Sequence, residues 1–184
     1  MPDVEWIESN GGPLLLLPES LLSAWSGVEV PSDGRVVEAT FRSSPTASAA
    51  SDYDRACDVT EWAAVLPVGA GWGLVLGDEP SPTSWHPTAE RGGVLARWVF
   101  AASDAATERA LAAVPSDLTW EALGDFPVVA TPLLLFDSAE PGLVPLGARA
   151  QVTLAPGTYG VAHARYSPDP ETEFTLVRLV PRAV

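Results

Sequence analysis

The chain has 184 residues, 47% of them hydrophobic, which excludes a disordered polypeptide and suits one domain that buries its own core. Its single cysteine, Cys57, excludes an intramolecular disulfide framework. A net charge of −14, with ten arginines and no lysine, disfavours contact with a nucleic-acid backbone and would steer in a basic partner.

The N-terminal MPDVEWIES is acidic where an export signal is basic. Gly11-Gly12-Pro13 then reads as a turn into the apolar run Leu14–Leu17, a buried strand. Pro18, Glu19 and Ser20 interrupt that run well before the roughly 20 apolar residues a membrane span requires, so no anchor is expected. Proline suits a first helical position, Leu21, Leu22 and Trp25 share a side, and Gly27 can end the element. A helix of one or two turns is therefore expected from Pro18 to Trp25. Ser43–Ser51 is small and polar and reads as a loop.

In DYDRACD, Asp52, Asp54 and Asp58 have the spacing of the first, third and seventh positions of a calcium loop. Cys57 and Ala63 stand where that loop needs glycine and glutamate, so no calcium is expected. Arg55 is placed to pair with the aspartates. Ala63–Val68 and Gly73–Leu76 read as strands joined by a glycine-rich turn. No helix follows Gly69–Gly73 to receive a phosphate, which removes the nucleotide-loop reading. Asp78-Glu79-Pro80 forms an acidic strand-end loop, and Ser84-Trp85-His86-Pro87 reads as a second loop with Trp85 as an exposed anchor.

Val94–Phe100 reads as a strand whose Trp98, like Trp62, belongs to the core. A helix near 104–114 can be capped by Ser103 or Asp104 and stopped by Pro115. Thr107, Ala110, Leu111 and Val114 would form its buried face. Val128–Phe136 reads as one strand. Ala150–Leu154, Gly160–Tyr166 and Phe174–Val180, separated by Pro156-Gly157 and Pro168-Asp169-Pro170, read as a three-stranded antiparallel meander.

Three short segments recur in order. Pro13–Leu17 is echoed by Pro132–Phe136, Trp72-Gly73-Leu74 by Tyr159-Gly160-Val161, and Leu95–Val99 by Leu176–Val180. The expected class is α+β, mainly β, with antiparallel sheets and one or two short helices in a single domain, 1–184. A diverged duplication of residues 1–102 and 115–184, joined by the helix near 104–114, is left open.

Chemical signals are sparse. His86 and His163 are the only histidines, and the chain contains no Gly-x-Ser-x-Gly, His-Glu-x-x-His or Cys-x-x-Cys pattern. Cys57 reads as a buried free thiol. No catalytic residue, metal or cofactor is assigned. The many tryptophans keep open a β-sandwich that stacks a carbohydrate or another small ligand. A hydrolase would require a histidine beside both an acid and a nucleophile.

Trp6-Ile7-Glu8-Ser9, Gly11-Gly12-Pro13-Leu14-Leu15-Leu16-Leu17-Pro18 and Trp25-Ser26-Gly27 together resemble the head of the immunity protein 21 family of bacterial polymorphic toxin systems. Asp52–Cys57, Leu74–Pro80 and the pair Arg97-Trp98 fit the same resemblance, which spans roughly residues 6–100. It implies a small non-enzymatic α+β protein of the cytoplasm that binds and neutralises a cognate toxin domain; the charge, the short leucine run and the absence of cofactor motifs add the expectation of no nucleic acid, membrane or cofactor. Trp6, Gly11, Gly12, Pro13, Trp25, Arg97 and Trp98 are then structural motif residues. Loop acids and an aromatic, namely Asp52, Asp54, Asp78, Glu79 and Trp85, are the expected partner contacts, and the acidity suits a basic toxin such as a nuclease.

Overall fold

The computed structural model describes residues 5–28, 51–77, 80–89 and 91–183. Four successive leucines cannot alternate between core and solvent, so a strand built from them must be covered on both faces. Strand β1 (Leu14–Pro18) is covered in this way. Leu14 and Leu16 enter one apolar cluster, and Leu15 and Leu17 enter another on the opposite face. Pro18 ends the strand, and a short 3-10 helix, Glu19–Ala24, follows where a helix was expected.

The remaining elements are α1 (Asp52–Cys57), β2 (Ala64–Val68), β3 (Gly71–Leu76), β4 (Thr83–Pro87), β5 (Gly93–Ala101), α2 (Asp104–Ala112), β6 (Glu121–Val128), β7 (Leu133–Asp137), β8 (Ala150–Val152), β9 (Gly157–Asp169) and β10 (Thr172–Pro181). They form two five-stranded sheets, ordered β2-β3-β1-β7-β8 and β4-β5-β10-β9-β6. Every pairing is antiparallel, so the α+β, mainly β expectation holds.

The main core lies between the sheets. Leu74, Leu76, Leu133 and Leu135 from the first sheet meet Leu95, Phe126, Val161, Val177 and Leu179 from the second. Outside the first sheet, Leu22 and Trp25 of the 3-10 segment and Ala56 and Val59 at α1 cover Leu15, Leu17, Val75 and Phe136. Beyond the second sheet, α2 places Ala110 over Ala96, Phe174 and Leu176, with Leu111 and Val114 beside it. The result is four layers: short helices, sheet, sheet, helix.

Helix α2 has Ser103 as its N-cap, whose side chain accepts from the Ala106 amide, and it ends within two residues of the expected stop. The turn between β2 and β3 carries Gly69 at φ +55, a conformation that other residues adopt only with strain.

Four expectations need correction. Val128–Phe136 is two strands, since the chain leaves β6 at Val128 and re-enters at Leu133 in the other sheet. The meander over 150–181 is only a β9–β10 hairpin. β8 pairs with β7, and the chain then crosses between sheets, burying Leu154 in the main core on the way. Ser84–Pro87 lies in edge strand β4, not in a loop; its ladder to β5 runs Thr83↔Arg97 to Pro87↔Gly93, and a terminal proline suits such an edge. Trp98 stands 36% exposed, so it is not a core residue.

The strand order has a two-fold pattern about the sheet centres. β1 lies beside β7 and β5 beside β10, with β3 and β8, and β4 and β9, in matching flanking positions. Two of the sequence echoes fall on the central pairs β1/β7 and β5/β10. The third links β3 with β9, which occupy non-equivalent positions in different sheets.

Between β7 and β8 the backbone is held by one cation. Arg149 donates to the carbonyls of Gly142, Pro141 and Val144 and to Glu140 Oε2 at 3.2 Å, while its guanidinium lies 4.6 Å from the Phe136 ring centroid. Glu140 is buried and the Arg149 side chain is mostly covered, so removing the cation leaves a buried charge uncompensated. Arg149→Met is expected to destabilise the protein by about 3–5 kcal/mol. A lowered urea midpoint with an unchanged slope would register the loss.

Candidate partner-binding surface

The expected contact residues must first be located on these elements. Asp52 and Asp54 sit in the first turn of α1, where carboxylates favour the positive helix end. Ser51 and Asp54 form a reciprocal capping box. Ser51 Oγ accepts from the Asp54 amide at 3.0 Å, and Asp54 Oδ2 accepts from the Ser51 amide at 2.8 Å. Asp52 accepts from the Ser26 amide at 2.8 Å and from Arg55 Nη1 at 2.9 Å, which realises the expected Arg55 pairing. The calcium-like spacing is thus the spacing of one helix turn and its cap. Among the described residues no group of three or more His, Cys, Asp or Glu is arranged to hold a metal ion.

Asp78 and Glu79 lie outside the described residues. Trp85 is on β4, half-buried against the main core, and its ring lies where a Cβ on Gly93 would stand. The described contact candidates therefore fall on two separate elements, α1 outside the first sheet and β4 at the edge of the second. Cys57 is exposed at the end of α1, contrary to the buried thiol expected.

Of the motif residues, Gly12, Pro13 and Trp25 form one structural joint. The Tyr53 ring occupies the space that a Cβ on Gly12 would need, which fixes α1 against the turn before β1. Trp25 is buried and donates its Nε1–H to the Ser138 carbonyl at 2.9 Å, and Ser138 Oγ donates to the Pro13 carbonyl at 2.6 Å. Trp6 packs on the outer cluster beneath α2. Arg97 is buried between the sheets and donates from Nη1 to the Trp62 carbonyl at 3.2 Å.

Both histidines have structural surroundings. His163 stacks on Trp62, with ring centroids 5.2 Å apart, and its Nε2 lies 3.0 Å from Glu121 Oε2. His86 Nε2 lies 2.8 Å from Ser84 Oγ, but Ser84 is fully buried, out of reach of a substrate. Burial also lowers the His86 pKa. A cavity of about 300 Å³ beside His86 runs beneath α2, lined by Pro87, Thr88, Val94, Leu111, Val114 and Leu176. No tryptophan lines it.

Besides Trp72, Val129 and Val180, large apolar side chains reach solvent in two groups of three, of which the sequence singled out only Trp98, as a structural motif residue. Trp98, Val99 and Phe100 are consecutive on β5, and Leu143, Val144 and Leu146 lie on the segment held by Arg149. A β-bulge accounts for the first group. β10 pairs Phe174 with Trp98 and Glu173 with Phe100, which leaves Val99 without a partner. Inserting one residue breaks the in–out alternation, so neighbouring side chains can all face outward. Consecutive apolar residues ending a strand just before a helix cap were the available signal.

Loss of the α1 cap separates a structural role from a contact role. Asp54→Ala is expected to lower stability by about 1–2 kcal/mol, measured by thermal or urea unfolding. Partner affinity of the folded fraction should stay unchanged.

No curated protein and no solved structure significantly resembles this chain. Among the described residues no helix is long and apolar enough to cross a membrane. The model of the family described as Immunity protein 21 matches residues 5–172, well beyond the N-terminal head, and the chain belongs to that family.

Proposed function

We propose that this chain is an immunity protein that binds a cognate toxin domain and neutralises it by stoichiometric occlusion, without catalysis, in the cytoplasm of the producing cell. The family match over residues 5–172 carries the reading. The net charge of −14 supports a basic partner, because opposite charge accelerates encounter. A nuclease fits best, since its phosphate-binding surface is the one an acidic protein would cover.

Sugar stacking has weaker support. The exposed Trp72 and Trp98 belong to different sheets, on β3 and β5, and the cavity beneath α2 is lined mainly by aliphatic side chains with His86 and Thr88.

The test is co-expression with the toxin-like domain encoded beside this gene. A one-to-one complex should form, and growth arrested by the domain should recover. Association should slow by roughly tenfold or more between low salt and about 0.5 M salt. Failure to form a complex with that domain would overturn the reading, and salt-independent association would overturn the basic-partner part of it.

A further inference from the structure

We propose that Trp98, Val99 and Phe100 on β5, flanked by the acidic tip of the β9–β10 hairpin, form the docking surface for a basic protein partner. The inference rests on the binding function above and assigns it a place. Three observations converge on it.

First, the strip is built into paired strands. β5 is laddered to β10 along this stretch, and the Trp98 amide donates to the Pro82 carbonyl at 2.8 Å. A surface fixed by strands loses little conformational freedom on binding, which favours affinity. Second, the bulge at Val99 turns three large apolar neighbours outward together, each more than one-third exposed. β9 carries a second irregularity at the same level, because two residues, Ser167 and Pro168, face Glu173 alone. Bulges at such positions re-aim side chains.

Third, the charge around the strip has one sign in excess. Glu173 is paired with Phe100 across the ladder, and Asp169 and Glu171 are exposed at the hairpin tip. Arg165 is the one basic side chain of the tip, and it is engaged by Glu173. An aromatic centre with a charged rim is the usual anatomy of a binding hot spot. The indole face of Trp98 suits an arginine or lysine of the partner through a cation–π contact. The apolar group at Leu143, Val144 and Leu146 is more exposed, yet residues 141–148 contain no charge, so it offers no electrostatic match.

The test uses the full chain and the toxin-like domain encoded beside its gene, with binding measured kinetically. Trp98→Ala or Phe100→Ser should weaken the complex by roughly 30-fold or more through faster dissociation. Glu171→Lys, at the exposed tip and clear of the core, should slow association several-fold at low salt and leave dissociation nearly unchanged. Leu143→Ala should bind as the unmodified chain does. Unfolding curves identify any variant lost to misfolding, and Glu171→Lys remains decisive in that event. If the unmodified chain binds and all these variants bind within about threefold of it, the surface is overturned and the function stands. Absence of binding by the unmodified chain overturns both.

Discussion

Everything in this molecule is arranged around a strand with no solvent side. β1 pairs with β3 on one edge and β7 on the other, and its four leucines alternate between two apolar clusters. Burying one leucine is worth about 1.5–3 kcal/mol, and truncating it in such a site costs about 2–5 kcal/mol. Satisfying both faces demands a layer on each side. The second sheet supplies one, and the 3-10 helix with α1 supplies the other.

That demand accounts for the packing of the head residues Gly12, Pro13 and Trp25. Gly12 yields space to Tyr53, and Trp25 and Ser138 tie the turn before β1 to the chain after β7. Asp52 and Asp54 belong to the same joint through their backbone hydrogen bonds. Carboxylates committed to a helix cap have little left to offer a partner. The proposed recognition strip lies in the other sheet, away from this joint.

Much of the fold was legible. An unbroken apolar run between a glycine turn and a proline points to a doubly covered strand, and the Ser103 cap with Pro115 bounds α2. The strands of the β9–β10 hairpin were legible from Pro168-Asp169-Pro170 and the apolar runs on either side. What escaped depended on contacts remote in sequence. β4 is short and proline-flanked, and only its ladder to β5 makes it a strand. β6 contains Gly124, Asp125 and Pro127, which obscure alternation, and a register shift between Ala122 and Gly124 breaks it further. α1 had a readable signal in Ser51-Asp52-Tyr53-Asp54, overshadowed by the calcium-like spacing of the same aspartates. Trp98 looks like core by its apolar neighbours, but its exposure is set by a bulge that exists only against β10.

The central claim is that the glycine–proline–leucine head holds the fold while a strip on β5, which includes the motif residue Trp98, meets the partner. Hydroxyl-radical footprinting of the free chain and of its complex with the toxin domain tests this most directly, because the informative tryptophans occupy different sites. Trp98 and Phe100 should oxidise in the free protein and become protected in the complex, while exposed Trp72 stays reactive and buried Trp25 stays inert in both. Protection at Trp72 with Trp98 still reactive would contradict the account.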